Sequence, residues 1–265
     1  MNGRVLVVAG SDSGGGAGIQ ADIKTITALN GFAMTAVTAL TAQNSLTVSN
    51  IYKPPPEFVA EQIRVTLEDL GADAIKTGMM ADALTIEAAA DVLDEMGSGV
   101  PWVIDPVMVS TARDRLLDED AVLSLKKRLI ARARIVTPNM AEAEVLAGRT
   151  VSTPDEMIIA GKSILDLGSD AVLVTGGHLE GNTLIDVLVS IDGVECFESQ
   201  RFETLHTHGT GCTLASAIAC GLAQGLELVE AILRARNYVA KAISSAPGYG
   251  GGHGPLNHAH TLEPS

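Results

Sequence analysis

Positive charge is scarce in this 265-residue chain, in which 18 lysines and arginines stand against 32 aspartates and glutamates, giving a formal net charge of −14. A surface of this sign repels the phosphates of nucleic acids, and no basic run with interleaved aromatic residues offers an exception, so we expect no nucleic-acid partner. Hydrophobic residues nevertheless make up 46% of the chain and charged residues 19%. This balance predicts a folded protein with a large core.

Cysteines are few, and long hydrophobic runs are missing. The three cysteines, Cys196, Cys212 and Cys220, form no CxxC pair, which argues against a zinc ribbon or a disulfide framework and favours reduced thiols. The first nine residues lack the pattern of a signal peptide. The stretch from Gly211 to Leu226 is too short to span a bilayer and is interpreted as a buried helix. These features predict a cytoplasmic protein without a membrane span.

Apolar runs of strand length alternate along the chain with longer segments of helical period, among them Ala83 to Met96 and Glu119 to Ala133, which is typical of βαβ units. We therefore expect an α/β fold with a mostly parallel sheet. Asp192-Gly193 lies between two strand-like runs and predicts a two-residue hairpin, hence an antiparallel edge. No linker rich in proline, glycine or serine interrupts positions 30 to 245. We expect a single domain over residues 1–265, with 248–265 as a C-terminal tail.

Two glycine-rich segments follow predicted strands, where open α/β sheets bind ligands. The first, Gly10 to Gly18, matches neither a P-loop nor the dinucleotide pattern, and its spacing fits a helix-packing turn as well as a substrate loop. The second, Gly209-Thr210-Gly211-Cys212, precedes a long helix of small residues. Its backbone N–H groups predict an anion site, and the helix dipole would lower the pKa of a thiol there. A capped helix with an inert cysteine is the alternative.

Two acidic residues at predicted strand ends, Asp105 and Glu142, suit Mg²⁺, which takes a few carboxylates together with phosphate oxygens and water. Asn139 could orient a water, and it is also expected to cap the helix that begins at Met140. Histidines occur in two groups, His206 with His208 and a C-terminal set. Without a third ligand type at metal spacing we expect no zinc, and a solvated tail or turn instead. The C-terminal set comprises His253, His258 and His260.

Five ordered motifs between about Arg4 and His258 resemble the bacterial hydroxymethylpyrimidine/phosphomethylpyrimidine kinases of thiamine biosynthesis, in the ribokinase superfamily. The resemblance implies a ribokinase-like three-layer α/β/α fold, a homodimer, and two successive phosphorylations by ATP. The first gives the pyrimidine monophosphate and the second the pyrophosphate. The motifs are Ala9 to Asp22, Thr38 to Asn44, Asp105 to Met108, Gly209 to Thr213 and Gly252 to His258.

The resemblance also implies roles for individual residues. Gln43 would bind the aminopyrimidine edge, Ala17 and Met79 would line the ring pocket, and Asp22 would lie close to it. Cys212 stands where most sugar kinases of the superfamily carry aspartate, so the base would be a thiolate. Lysines that related enzymes often carry are replaced by Thr175 and by the Leu205-His206 pair, which leaves Lys241 and His206 as candidates for the ATP phosphates. The remaining expected residues are Gly209, Thr210 and Gly211 around the phosphoryl group, Asn139, Thr175 and Gly177 at the nucleotide, and Asp105 and Glu142 at Mg²⁺.

Three other functions remain open at this point. A pyridoxine or pyridoxal kinase would also phosphorylate a hydroxymethyl group on a flat ring, although Gln43 favours the aminopyrimidine. A regulator that binds pyrimidine without catalysis would have lost Asp105, Glu142 or the anion site. A hydrolase with a cysteine nucleophile would need a base such as His208 paired with Cys212. ATP dependence separates the three.

Overall fold

The computed structural model describes residues 1–108, 118–177, 179 and 181–262. Within these ranges the strands and helices alternate as the sequence predicts, and most of their bounds agree with prediction to within two residues. The strands are β1 (Arg4–Asp12), β2 (Phe32–Gln43), β3 (Val48–Tyr52), β4 (Ala74–Thr77), β5 (Trp102–Ile104), β6 (Ile135–Val136), β7 (Ala171–Val174), β8 (Thr183–Ser190) and β9 (Gly193–Gln200). The helices are α1 (Gly18–Ala28), α2 (Pro56–Asp69), α3 (Ala83–Met96), α4 (Glu119–Ser124), α5 (Met140–Ala147), α6 (Pro154–Leu165), α7 (Thr210–Ala223) and α8 (Leu228–Ser244).

The strands form one sheet in the order β3-β2-β1-β4-β5-β6-β7-β8-β9. Neighbours from β2 through β7 pair in parallel, whereas β3, β8 and β9 join by antiparallel pairing at the two ends. Parallel strands need both faces covered, and here each face carries its own apolar cluster. Helices α2 to α6 contribute to one cluster, and α1, α7 and α8 contribute to the other. The expected three-layer α/β/α fold is confirmed.

Local signals set several helix starts. Asp82 accepts a hydrogen bond from the backbone of Thr85 and caps α3, so this helix has its predicted bounds. Asn139 and Thr153 cap α5 and α6, each in a reciprocal capping box with the glutamate three residues on. The segment predicted as one helix over 119–133 starts as α4, continues as a π-helix over Leu125–Leu129 and ends as a 3₁₀ turn over Ile130–Arg132.

Two local features differ from the prediction. The edge strand β3 was not predicted; it is short, none of its residues is buried, and it is a strand because it pairs with β2. The hairpin between β8 and β9 is present, but its two-residue loop is Ile191-Asp192, because Gly193 already pairs with Ser190. Gly193 has a φ of +137°, which favours glycine at this position. Among the helices described, none is long and apolar enough to cross a membrane.

Candidate active site

The first glycine-rich segment folds around the carboxylate of Asp12, at the end of β1. Its oxygens accept hydrogen bonds from the backbone nitrogens of Gly14 at 2.8 Å, Gly16 at 3.0 Å and Ala17 at 2.8 Å. His208 Nε2 lies 2.9 Å from the same carboxylate. Both side chains are buried. The segment is therefore a turn organised by Asp12, and it connects β1 to the loop before α7.

The loop before α7 packs directly on this turn. A Cβ added to Gly209 would lie 1.9 Å from the carbonyl oxygen of Gly16, and one added to Gly16 would lie 2.4 Å from the His208 ring. Gly209 also has a φ of +85°. Within the described part of the chain no side chain caps α7. The first turn thus leaves backbone N–H groups for another acceptor, which suits the predicted anion site.

A buried charge cluster lies behind this helix start. Lys76 Nζ, on β4, lies 3.0 Å from Asp22 Oδ1 and 3.4 Å from Asp105 Oδ2. Ser216 Oγ, on α7, donates to Asp22 at 2.6 Å. Lys76 and Asp22 have no exposed side-chain surface. Asp22 therefore holds Lys76 and Ser216, and its direct contact with a substrate stays a prediction.

The chemistry of Cys212 differs from what the helix dipole alone predicts. Burial of the sulfur raises the pKa of Cys212 above its ordinary value. Lys76 and the backbone N–H of Gly18 act in the opposite direction, but Asp105 and Asp22 raise the pKa further. The expectation of a lowered pKa is wrong for the ligand-free protein, because lost hydration and two nearby carboxylates raise the pKa of this thiol.

The Asp105 and Glu142 pair fits a cation. Burial and the neighbouring charge of Asp105 raise the pKa of Glu142 to about 8, against hydrogen bonds from Asn139 and Met108 that lower it. Asp105 Oδ2 is buried and accepts no hydrogen bond from the described residues, although the Lys76 ammonium lies 3.4 Å from it. A divalent cation would stabilise the ionised form of Glu142, a buried carboxyl group near a second carboxylate. Since no group of three candidate ligands occurs in the described ranges, phosphate and water would complete the coordination.

Asn139 and Glu142 also have a structural role. The backbone nitrogen of Asn139 donates to Glu142 Oε2 at 2.9 Å, and Glu142 N donates to Asn139 Oδ1 at 3.0 Å. The prediction that Asn139 caps the helix that begins at Met140 is confirmed. Thr175 pairs with Asn139 across the end of the sheet, so two of the residues expected at the nucleotide lie together.

Two arginines that the sequence analysis did not select hold the loop after β7. Arg201 donates to the carbonyl oxygens of Gly177 at 2.7 Å, Leu179 at 2.6 Å and Gly181 at 2.9 Å. Buried Asp186 accepts from Gly176 N at 3.0 Å and from Arg236 Nε at 2.8 Å. No short motif marks either arginine, because their acceptors are backbone groups distant in sequence.

The three residues expected at the pyrimidine are half-buried: Gln43 at the end of β2, Ala17 at the N-cap of α1 and Met79 shortly after β4. Gln43 Nε2 lies 3.4 Å from His208 Nε2, and a Cβ on Gly10 would touch the sulfur of Met79. Lys241 is exposed near the end of α8. Its role at the phosphates remains a prediction.

The expectation of solvated histidines is wrong at two positions. His208 is buried against Asp12. His258 is buried where its Nδ1 lies 3.3 Å from both Thr25 Oγ1 and the hydroxyl of Tyr238. The C-terminal segment thus packs on α1 and α8, whereas His253 is exposed as expected.

A cavity of about 810 Å³ opens between α5, α6 and β8. Met140, Glu144, Leu179 and Ile185 are among its lining residues, and none of the residues expected at the active site is. We therefore place the candidate site where the charged and glycine-rich segments meet at the ends of the strands, and not at this cavity.

The model of the family described as phosphomethylpyrimidine kinase matches residues 12–257. This chain belongs to the phosphomethylpyrimidine kinase family. A hydroxymethylpyrimidine/phosphomethylpyrimidine kinase of Streptomyces coelicolor is 43% identical over 97% of this chain and 95% of its own length. The thiamine biosynthesis bifunctional protein ThiED of Geobacter sulfurreducens is 48% identical over 98% of this chain, which spans 53% of that longer protein. The crystal structure of Bacillus subtilis pyridoxal kinase with ADP matches with a TM-score of 0.91, at 35% identity over 99% of both chains.

Family membership confirms that the chain is a kinase, and the resemblance stated from its five motifs is confirmed with it. The hydrolase alternative is also disfavoured by geometry. His208 Nε2 lies 2.9 Å from Asp12 Oδ2, so this nitrogen is engaged by Asp12 and not paired with Cys212 as a base.

Proposed function

We propose that this chain transfers the phosphoryl group of ATP to 4-amino-5-hydroxymethyl-2-methylpyrimidine and then phosphorylates the monophosphate to the pyrophosphate, as a single kinase domain over residues 1–265. One observation carries this proposal. The uncapped first turn of α7 begins beside a buried carboxylate, since a Cβ on Gly211 would lie 3.9 Å from Asp105 Oδ1. An anion site and a cation site adjacent to each other are what phosphoryl transfer from a nucleotide requires.

The chain's own residues then position the reactants. Backbone N–H groups of Gly209 to Cys212 bind the transferring phosphoryl group, and Gln43, Ala17 and Met79 bind the ring. Asn139, Thr175, Gly177 and Lys241 bind the nucleotide. Asp105 and Glu142 hold Mg²⁺, which supplies charge neutralisation for the phosphate oxygens.

Cys212 is the proposed base of the first step. Because the transition state of phosphoryl transfer is loose, little proton removal is needed before it is reached, so the small fraction of Cys212 that is a thiolate despite its raised pKa suffices. The nucleophile of the second step is a phosphate oxygen that is already ionised at neutral pH. That step requires positioning and no base.

A coupled ATP-consumption assay tests the proposal, with hydroxymethylpyrimidine and pyridoxal offered separately and the products followed by mass. Successive mono- and diphosphorylated pyrimidine is the expected result. The structural similarity to a pyridoxal kinase makes B6 phosphorylation the second candidate. Product from pyridoxal alone would establish that candidate, and binding of pyrimidine without ATP consumption would indicate a regulator.

A cytoplasmic homodimer completes the proposal. Leu40 and its strand partner Tyr52 are 47% and 63% exposed on β2 and β3, and Phe58 on α2 is 53% exposed. These apolar side chains support a surface for a second copy of the chain. Sedimentation at several concentrations gives the oligomeric state, and a monomer at all of them would contradict the dimer.

A further inference from the structure

The contacts of the buried Asp12 and His208 pair determine which of the two carries a hydrogen. Burial by itself would raise the pKa of Asp12, but hydrogen bonds from His208, Ala17 and Gly14 outweigh burial and lower it. Asp12 is therefore a carboxylate and can only accept hydrogen bonds. It follows that His208 Nε2, 2.9 Å from Asp12 Oδ2, carries a hydrogen.

This hydrogen restricts the amide of Gln43. The Gln43 Nε2 atom lies 3.4 Å from His208 Nε2, which would bring two N–H donors together. The Gln43 Oε1 atom lies 3.2 Å from Thr41 Oγ1, whose single hydrogen already has an acceptor in the carbonyl of Ser11 at 2.9 Å. The first contact brings two donors together and the second brings two acceptors together. Turning the amide over by 180° corrects both contacts. The oxygen then faces the N–H of His208, whose single hydrogen is shared between Asp12 at 2.9 Å and Gln43 at 3.4 Å, and the nitrogen donates to Thr41.

The His208 ring has little freedom to adapt instead. A Cβ on Gly16 would lie 2.4 Å from its Cδ2 atom, so the ring packs directly on that backbone. The backbone of Gln43 is also held, because its nitrogen donates to Ser13 Oγ at 2.8 Å and its oxygen accepts from Ser13 Oγ at 2.8 Å. The Gln43 amide can therefore turn about its terminal torsion, and His208 determines which way it faces.

We propose that Asp12 and His208 are specificity-determining residues that act through Gln43. They fix which end of its amide is the acceptor, leaving one oxygen lone pair and one N–H for the ligand. This inference rests on the proposed function of Gln43. An aminopyrimidine edge places an N–H donor beside a ring nitrogen acceptor, which pairs with one orientation of an amide. A ring without the exocyclic amine gains nothing from that orientation.

A double-mutant cycle between His208→Ala and Gln43→Ala tests the inference. The KM for hydroxymethylpyrimidine, the KM for ATP, and the ratio of kcat/KM for pyrimidine over pyridoxal are measured for each variant. We expect His208→Ala to raise the pyrimidine KM about tenfold, the effect of one lost orienting hydrogen bond, with less than about twofold change in the KM for ATP. In the Gln43→Ala background the same substitution should have almost no further effect.

Conservative variants supply the control. His208→Gln places an amide nitrogen near the position of Nε2 and should recover most of the pyrimidine KM, whereas the shorter His208→Asn should not. If His208→Ala does not fold, the comparison of these two variants replaces it. The exposed His253→Ala should match the wild type.

Two results would overturn the inference. One is additive effects in the cycle, and the other is equal KM changes for pyrimidine and ATP, which would indicate a structural role. A wild-type enzyme that does not phosphorylate the pyrimidine would refute the proposed function itself, so the two failures are distinguishable.

Discussion

Lys76 and Asp22 form an ion pair that is completely removed from solvent, with Nζ 3.0 Å from Oδ1. The pair joins the middle of the sheet to α1, and through Ser216 to α7. Asp105 completes the group at 3.4 Å from the same ammonium. The Lys76 ammonium thus balances two carboxylates near the start of α7, one on α1 and one directly after β5.

Replacing Lys76 should therefore be costly. Lys76→Met leaves Asp22 and Asp105 buried without their cation, and we expect a loss of about 3 to 5 kcal/mol in the free energy of unfolding, measured by urea denaturation. The exposed pair of Lys53 and Asp82 provides the control, since Lys53→Met should cost less than about 1 kcal/mol. Equal losses in the two variants would show that burial of the Lys76 pair is not decisive.

Two glycines with nearly the same backbone conformation distinguish the effect of backbone strain from that of a steric clash. Gly209 and Gly225 have φ values of +85° and +84°, but only Gly209 faces another backbone, at 1.9 Å from an added Cβ. Both alanine variants should lose about 1 to 2 kcal/mol to the left-handed conformation. Gly209→Ala should in addition lose most phosphoryl transfer, while Gly225→Ala retains the wild-type kcat. Comparable activity in the two variants would contradict the role of the packed loops.

The two phosphorylations should respond differently to Cys212→Ala. We expect kcat for the hydroxymethyl substrate to fall about 10- to 100-fold, with the monophosphate substrate changed less than about twofold, because the second nucleophile needs no base. Each step is assayed from its own purified substrate. Exposed Cys196→Ala serves as the control. Equal losses in both steps would indicate that Cys212 packs rather than accepts a proton.

Arg201 should affect the nucleotide and not the pyrimidine. Arg201→Ala removes three hydrogen bonds to the loop over 177–181, and we expect the KM for ATP to rise about tenfold while the pyrimidine KM stays constant. The exposed Arg149→Ala, which removes the same charge, should change neither. A rise in the pyrimidine KM alone would place this loop at the other substrate.

His258 should make the stability depend on pH. Burial, with the nearby charges of Lys24 and His260, lowers the pKa of His258 from 6.5 to about 4. The unfolded chain then binds the extra proton between these values, so the contribution is present above about pH 6.5 and is lost as the pH falls toward 4.

We expect the wild type to lose about 2 kcal/mol more than His258→Gln between pH 7 and pH 5 in denaturation curves. Exposed His253→Gln should follow the wild type. Parallel pH profiles for the wild type and His258→Gln would show that this histidine does not titrate with unfolding.

Short sequence patterns correctly predicted the helices and strands whose bounds depend on neighbouring residues. Helix α3 has its predicted bounds because Asp82 and the apolar period both act within a few residues. The opposite holds for the site. Lys76 meets Asp22 across 54 residues, and His208 meets Asp12 across 196, so no spacing rule reveals either pair. The motifs located Cys212, but its raised pKa depends on carboxylates from other strands and helices. Arg201 was missed because backbone carbonyls leave no mark in a sequence.

The C-terminal segment has a consequence for biosynthesis. The backbone of His208 donates to Gly254 O at 3.1 Å, and His258 packs on Thr25 across 233 residues. Asp12 in the turn after β1 is translated 196 residues before its partner His208, and Thr25 on α1 is translated 233 residues before its partner His258. The candidate site therefore gains these C-terminal contacts only after residue 258 has left the exit tunnel of the ribosome.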